Sequence, residues 1–83
     1  MAGIKVYGSG TCIMTAETRE HLDELGVPHQ YIDIDTSREG ARWVKEQNLG
    51  KLKTPTLDIE GDILTEPSNE ELDAALAEAG VMD

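Results

Sequence analysis

The stretch YGSGTCIMT, from Tyr7 to Thr15, holds the only cysteine of the 83-residue chain, Cys12. The alternating apolar segment Ile4–Tyr7 comes directly before it and predicts a short strand, and a helical pattern follows it. Gly8 and Gly10 make the backbone between the strand and the helix flexible. We therefore expect Cys12 to lie at the N-terminus of a helix, beside backbone N–H groups that have no partner within the helix.

Such a position favours a negatively charged sulfur. The free N–H groups and the helix dipole stabilise an anion, and thiols at helix N-termini have a pKa of about 3.5–7.5 instead of about 8.5. Cys12 is therefore the candidate nucleophile. No histidine, lysine or second cysteine lies within one helical turn of it in the chain, so a second thiol has to come from a small molecule or a partner protein.

The composition excludes several classes of protein. A single cysteine allows no disulfide within the chain, which excludes a disulfide-stapled secreted module. The formal net charge of −10 argues against nucleic acid or an anionic membrane as a partner. No apolar run approaches the ~20 residues that span a bilayer, and the N-terminus has no signal-peptide pattern. We expect one cytoplasmic domain, residues 1–83, that is a monomer and binds no metal.

The first helix is predicted from its cap and from its apolar spacing. Thr11 has the chemistry of an N-cap residue, so the helix is expected to begin at Cys12. Its apolar stripe should pack on the sheet and consists of Met14, Thr18, Leu22 and Leu25.

Two capping-box spacings predict the other helices. Thr36 and Glu39 have this spacing at the start of the second helix. Ser68 and Glu71 have it at the start of the third. Between these helices, Thr56–Ile59 and the segment after it form an antiparallel hairpin. The first crossover makes strands 1 and 2 parallel, so we expect an α/β fold of order β-α-β-α-β-β-α, with a four-stranded mixed sheet and helices on both faces.

Two further segments have the chemistry to contact a substrate. The Thr54–Pro55 bond is trans by default, and a cis bond would leave the Thr54 backbone free to bond an extended peptide. The sequence does not distinguish the trans bond from the cis bond. Ser68 and Asn69 head the last helix, where their N–H groups could bind a carboxylate. Ordinary capping explains these two residues equally well.

Beyond these local patterns, nearly the whole chain resembles the glutaredoxin family, in particular its small bacterial glutaredoxin-like and mycoredoxin-like proteins. The segments that carry the resemblance are Ile4–Tyr7, Leu22–Pro28, Tyr31–Asp35, Trp43–Val44, Asn48–Gly50, Thr54–Leu57 and Leu64–Leu72. The resemblance implies the thioredoxin-like (glutaredoxin) fold and an activity in thiol–disulfide exchange or deglutathionylation.

The resemblance also implies roles for individual residues. Cys12 would be the nucleophile and Pro55 a cis proline facing it. The Thr54 backbone, Ser68 and Asn69 would hold the glutathione peptide. No cofactor is implied; glutathione or a related low-molecular-weight thiol would be the co-substrate, and a protein mixed disulfide would be the other kind of partner.

The residues around Cys12 depart from the family's pattern. The usual motif is Cys-Pro-Tyr-Cys or a near relative, whereas this chain has Cys12-Ile13-Met14-Thr15. Thr15 removes the resolving cysteine, and Ser9 stands where many members carry a lysine. The motif also differs from the Cys-Gly-Phe-Ser of iron–sulfur-binding glutaredoxins, so no cluster is expected. The missing lysine has three candidate replacements, Lys45, Lys51 and Lys53.

Two functions remain as hypotheses. The first is a monothiol glutaredoxin-like oxidoreductase, in which Cys12 attacks a glutathione mixed disulfide and a second glutathione restores the thiol. The second is a catalytically weakened or inactive binding or adaptor module, whose C-terminal third has no lysine or arginine from residue 57 onward and would dock a basic partner. The position of Cys12 favours the first.

Overall fold

Seven elements make up the structure, a computed structural model that describes residues 3–81. In chain order they are β1 (Ile4–Gly8), α1 (Ile13–Glu24), β2 (Gln30–Asp33), α2 (Arg38–Gln47), β3 (Thr56–Ile59), β4 (Asp62–Thr65) and α3 (Asn69–Glu78). This is the predicted order of helices and strands.

The four strands form one mixed sheet in the order β2-β1-β3-β4. β1 pairs parallel with β2 and antiparallel with β3, and β3 pairs antiparallel with β4. A two-residue turn, Glu60–Gly61, joins β3 to β4, and both of its residues have the positive φ that such tight hairpins require. The loop that joins β1 to α1, residues 9–12, contains Cys12 and is called the Cys12 loop; it follows β1, which is one of the two central strands.

α1 and α3 cover one face of the sheet. The core between these helices and the strands is made of buried apolar side chains, namely Ile4, Val6, Leu22, Val27, Leu57, Ile59, Leu72, Ala75 and Leu76. At the surface, His21 of α1 places its Nε2 at 2.7 Å from Oδ1 of Asp73 in α3. The two helices are therefore joined both through the core and through this side-chain contact.

α2 covers the opposite face of the sheet. Its Val44 is fully buried and clusters with Tyr7 and Ile34. Trp43 stacks on Tyr7 with ring centroids 4.1 Å apart and an interplanar angle of 18°, an arrangement that contributes about 0.5–1.5 kcal/mol beyond the buried area. Helices thus lie on both faces of a four-stranded mixed sheet, and the predicted α/β architecture is confirmed.

The cap of α2 differs from the prediction. Ser37 is the N-cap residue, and its Oγ accepts a hydrogen bond from the Gly40 amide at 3.0 Å. The hydroxyl of Thr36 donates instead to the Asp33 carbonyl at 3.3 Å. The capping box predicted from Thr36 is therefore wrong, because that side chain closes the turn after β2.

The buried stripe of α1 also differs from the prediction. The buried residues are Thr15, Thr18 and Leu22, whereas Met14 and Leu25 are 37% and 38% exposed. The predicted Thr18 and Leu22 are therefore confirmed as buried, but hydrophobicity favours Met14 over the third buried residue, because that residue is a threonine. Thr15 packs against Gly8, the last residue of β1.

Candidate active site

Ser9 holds the loop between β1 and α1 in shape. Its hydroxyl donates to Oδ2 of Asp35 at 2.7 Å, and its carbonyl accepts the Cys12 amide at 3.1 Å. The Thr11 amide donates back to the Ser9 Oγ at 3.3 Å. Ser9 therefore ties the loop to the segment after β2 and fixes the residue that precedes the helix.

Cys12 is the N-cap residue of α1. Its backbone is extended, with φ −90° and ψ 116°, and its carbonyl accepts the Ala16 amide at 3.2 Å. The prediction that Thr11 caps a helix beginning at Cys12 is therefore wrong by one residue, because the Cys12 amide is bonded to the Ser9 carbonyl and the helix starts at Ile13. The side chain of an N-cap residue faces the free amides of the first turn, so the sulfur lies beside those donors.

The Cys12 sulfur lies in a polar, partly buried environment. Its S–H donates to the Thr54 carbonyl at 3.5 Å. Burial acts to raise the pKa of the thiol, but hydrogen bonds that favour the thiolate outweigh it; these come from the side chains of Thr15 and Thr54 and from the amides of Thr15 and Met14. The pKa of Cys12 is therefore lowered from the ordinary value of a free thiol.

The segment Thr54–Pro55 provides the carbonyl that contacts the Cys12 sulfur. Its peptide bond is cis, as the resemblance to glutaredoxins implies, and the proline is buried. The hydroxyl of the next residue, Thr56, donates to the Lys53 carbonyl at 2.8 Å and accepts from Nδ2 of Asn48 at 3.2 Å. These bonds connect the segment to the end of α2, and so keep the Thr54 carbonyl next to the sulfur.

Ser68 and Asn69 lie at the N-terminus of α3. They form one wall of an open groove of about 260 Å³, which is lined by Met14, Glu17, Thr18, Pro67, Ser68 and Asn69. The predicted capping box is confirmed: the Glu71 amide donates to the Ser68 Oγ at 3.1 Å, and the Ser68 amide donates to Oε1 of Glu71 at 2.9 Å. The Ser68 amide is thus already bonded within the helix cap, whereas Asn69 occupies the first helical position, where amides have no partner in the helix.

The predicted residues therefore fall into two groups. The Thr54 carbonyl contacts the Cys12 sulfur, and Pro55 follows it through a cis bond. Ser68 and Asn69 line a groove together with Met14. The three candidate lysines, Lys45, Lys51 and Lys53, are exposed. Within residues 3–81, the groups that lower the pKa of Cys12 are all hydrogen-bond donors and include no lysine. The thiolate is therefore stabilised by hydrogen bonds rather than by a neighbouring cation.

Across residues 3–81, no group of three or more His, Cys, Asp or Glu side chains is arranged to hold a metal ion. In the same residues, no helix is long and apolar enough to cross a membrane.

A sequence model of the glutaredoxin family matches residues 4–64, which is most of the chain. The chain belongs to the glutaredoxin family. The family and the fold support a general activity in thiol–disulfide exchange for this member.

Solved structures agree with this assignment at the level of the fold. A glutaredoxin from Archaeoglobus fulgidus is 24% identical with a TM-score of 0.74, over 92% of this chain and 87% of that chain. A mutant of the thioredoxin-like protein BC3987 is 23% identical with a TM-score of 0.79, over 93% of this chain and 97% of that chain. A buckwheat glutaredoxin–glutathione complex is 19% identical with a TM-score of 0.72, over 98% and 82% of the two chains. The predicted thioredoxin-like fold is confirmed. A comparison with curated proteins gave no significant match.

Two residues of this glutaredoxin's site were not predicted from its sequence. From the sequence, Thr15 was noted only as the residue that replaces a second cysteine. In the structure, its side chain and its amide both lower the pKa of Cys12. The three-residue spacing from Cys12 to Thr15 was the available signal, because an N-cap side chain faces the third helical residue. Asp35 holds the loop through Ser9 but carries no local signal, since the two residues lie 26 positions apart.

The lowered pKa gives a direct prediction for alkylation. The rate of Cys12 alkylation by iodoacetamide should rise with pH through a midpoint below that of an ordinary thiol, because the thiolate is the reacting form. In concentrated urea, where the helix cap is lost, the midpoint of the same protein should return to about 8.5. Equal midpoints in the folded and the unfolded protein would contradict the hydrogen-bonded site described above.

Proposed function

We propose that this glutaredoxin is a monothiol thiol–disulfide oxidoreductase that acts through Cys12 on mixed disulfides of glutathione or a related low-molecular-weight thiol. The observation that supports this function is the position of the Cys12 sulfur at the N-cap of α1, with hydrogen bonds that lower its pKa. Since the chain has no second cysteine, the thiol that completes the cycle comes from solution.

The proposed cycle has two exchange steps. The Cys12 thiolate first attacks the glutathione sulfur of the mixed disulfide; a Cys12–glutathione disulfide forms, and the substrate leaves as its own thiolate. A glutathione thiolate then attacks the glutathione sulfur on Cys12, so that glutathione disulfide forms and the Cys12 thiolate leaves. One glutathione thiol is consumed for each substrate thiol that is released, and Cys12 ends the cycle unchanged.

Four residues are proposed to hold the glutathione peptide: Thr54, Pro55, Ser68 and Asn69. The Thr54 backbone supports this role because its carbonyl lies 3.5 Å from the Cys12 sulfur. Ser68 and Asn69 are proposed because the groove runs from Met14 to the N-terminus of α3. Within this pair, Asn69 is the better candidate for a carboxylate, since the Ser68 amide is bonded to Glu71. Lys53 precedes Thr54 in the chain and is the first candidate for a second carboxylate.

The proposal is tested by trapping the intermediate. A glutathionylated peptide is incubated with the protein in the absence of free glutathione, and mass spectrometry should find glutathione on Cys12 and the peptide thiol released. Addition of glutathione should then remove the adduct and start turnover. Protein alkylated beforehand with iodoacetamide is the control. If the untreated protein shows neither adduct nor turnover, the proposed function is wrong.

The second candidate function is a binding or adaptor module that retains the fold with little or no exchange activity. Its support is the exposure of two large apolar side chains close in the chain to the site residues. Ile13, next to Cys12, is 77% exposed, and Leu52, two residues before Thr54, is 52% exposed. Exposed large apolar side chains are available for contact with a partner protein. The first candidate remains preferred because the lowered pKa of Cys12 serves exchange and is not needed for docking.

A further inference from the structure

The loop between α2 and β3 displays a leucine that neither the backbone nor the core explains. Leu49 is 97% exposed, the largest fraction among the exposed large hydrophobic residues of the part that the structure describes. Its φ is +55°, a left-handed conformation that is unfavourable for a bulky side chain and that helix ends usually give to glycine. The Gly50 amide completes this helix end by bonding to the Lys45 carbonyl at 2.8 Å. An exposed apolar side chain held in an unfavourable conformation is typical of a contact site.

Both ends of this loop are fixed at the candidate active site. We call residues 49–53 the Leu49 loop. Before it, Nδ2 of Asn48 donates to Oγ1 of Thr56 at 3.2 Å, and after it, the Thr54 carbonyl accepts the S–H of Cys12 at 3.5 Å. Each residue of the loop is at most three positions, or about 10 Å, from one of these two anchored ends. The loop therefore lies beside the sulfur, where a protein substrate has to approach.

The Leu49 loop combines apolar side chains with positive charge. Leu52 is 52% exposed, and Lys51, which lies between the two leucines, is exposed as well. Within residues 3–81, the ion pairs of the protein are formed by its two histidines. Lys51 is therefore not paired with a carboxylate of its own chain, and it can meet one from a partner.

The charge of the chain is divided sharply around this loop. Residues 41–56 contain four bases and one acid, a formal net charge of +3, whereas the rest of the chain contains three bases and sixteen acids, a net charge of −13. The five charged residues of the positive segment are all exposed, namely Arg42, Lys45, Glu46, Lys51 and Lys53. A partner that carries negative charge is therefore attracted at this segment and repelled by the rest of the surface.

We propose that the Leu49 loop docks protein substrates in which the glutathionylated cysteine is flanked by acidic residues and an apolar side chain. Lys51 meets the carboxylates of this segment, and Leu49 and Leu52 cover its apolar side chain. The uneven charge selects the approach that brings the mixed disulfide to Cys12. The inference rests on the proposed function, and it concerns the protein half of the mixed disulfide rather than the glutathione half.

The test compares three substrates at physiological ionic strength, where the Debye length is about 8 Å and the charges of the loop outweigh those of distant residues. Two are glutathionylated peptides with a leucine beside the cysteine; their other flanking residues are glutamates in one and lysines in the other. The third is the mixed disulfide of glutathione and 2-mercaptoethanol, which has no flanking residues. We expect kcat/KM to be about fivefold higher for the acidic than for the basic peptide, since an exposed ion pair contributes a factor of about 1.5–5. In about 1 M salt this ratio should approach one.

Two variants separate the contributions of charge and apolar contact. Lys51→Glu should bring the ratio of the two peptides to about one or below, and the ratio cancels any change in glutathione binding, because both peptides carry the same glutathione. Leu49→Gly should lower kcat/KM for the acidic peptide about fivefold through lost apolar burial, and should leave the flank-free substrate unchanged. This variant is expected to fold, because glycine adopts a positive φ without strain.

Leu25→Ser is the matched control for Leu49→Gly. Leu25 is 38% exposed and lies at the C-terminal end of α1, about 18 Å along the helix from Cys12. The control should reduce the acidic peptide as fast as the parent does. A loss as large as that of Leu49→Gly would assign the effect to general surface hydrophobicity and overturn the docking role.

Two further outcomes would overturn the docking role: equal kcat/KM of the parent for the acidic and basic peptides, or no loss in Leu49→Gly. In either case, reduction of the flank-free substrate would still support the proposed function. If none of the three substrates is reduced, an NMR titration with the same peptides, carrying serine in place of the glutathionylated cysteine, decides the question. The acidic peptide should shift the amide resonances of residues 49–53, and the basic peptide should not. Absence of these shifts would reject the docking role, whereas their presence without turnover would retain it and reject the exchange cycle.

Discussion

Replacement of Cys12 by serine is expected to abolish reduction of a glutathionylated peptide while the fold remains intact. A serine hydroxyl is almost entirely protonated at neutral pH, and it has no sulfur that could form a mixed disulfide with glutathione. The chain has no other cysteine to substitute for it. Turnover by the variant should therefore equal the rate without protein, measured as peptide thiol released in the presence of glutathione.

The same variant should be at least as stable as the parent. Serine is among the best N-cap residues, because its oxygen accepts bonds from the amides of the first turn. In the parent, Cys12 caps α1 without such a side-chain bond among the described residues. Urea unfolding should thus give a free energy of unfolding equal to or up to about 1 kcal/mol above the parent's. Loss of activity together with retained stability would assign the effect to the thiol alone.

Cys12→Ser also separates the two candidate functions. A partner captured through a disulfide should be lost with the sulfur, whereas a partner held by a docking surface should be retained equally by the variant. Residual turnover comparable to that of the parent would reject Cys12 as the nucleophile. Equal retention of a partner, with no turnover by either protein, would favour the binding module.

Gly8→Ala is expected to lower the free energy of unfolding by about 1–3 kcal/mol, the range for an added methyl group in a well-packed interior. The new Cβ would lie 2.3 Å from Cγ2 and 3.0 Å from Cβ of Thr15. Rotation of the threonine side chain would not relieve the second contact, because Cβ does not move with χ1. The helix or the strand therefore has to shift, and urea unfolding measures the cost.

Gly10→Ala is the control for this substitution. Nothing lies within 4 Å of a Cβ at position 10, so alanine should be neutral or slightly stabilising there through reduced freedom of the unfolded chain. Because Thr15 is one of the residues that lower the pKa of Cys12, Gly8→Ala should also raise the alkylation midpoint of Cys12, and Gly10→Ala should not. Equal stability of the two glycine variants would contradict the close packing of Thr15 against Gly8.

The order of the elements was predictable because it rests on local patterns. Alternation in Ile4–Tyr7, apolar spacing in the helices and the capping box at Ser68 each act over a few residues, and the structure contains all three. The crossover and the hairpin extended these local predictions to a four-stranded mixed sheet. The first helix was placed one residue early because its cap depends on the Cys12–Ser9 backbone bond, which a list of preferred capping residues does not reveal.

The environment of the sulfur was harder to predict because its contacts are long-range or polar. Thr54 lies 42 positions from Cys12, and no local pattern joins them. Thr15 is a polar residue on the buried face of a helix, where hydrophobicity favours Met14 instead. The lowered pKa of Cys12 was expected from the helix N-terminus alone, but the structure shows that threonine side chains contribute as well as backbone amides.

The Glu60–Gly61 turn lies at the end of the sheet opposite Cys12. β3 runs antiparallel to β1, so its first residue, Thr56, pairs with Tyr7 near the cysteine loop, and its last, Ile59, pairs with Ile4. A linker to a sensor surface or a fused reporter attached at this turn would leave the thiol facing the solution. Thiol-directed coupling, in contrast, would consume the only cysteine. If the protein is attached to an electrode or a bead at the Glu60–Gly61 turn, every molecule has its reactive sulfur at the end that points away from the support.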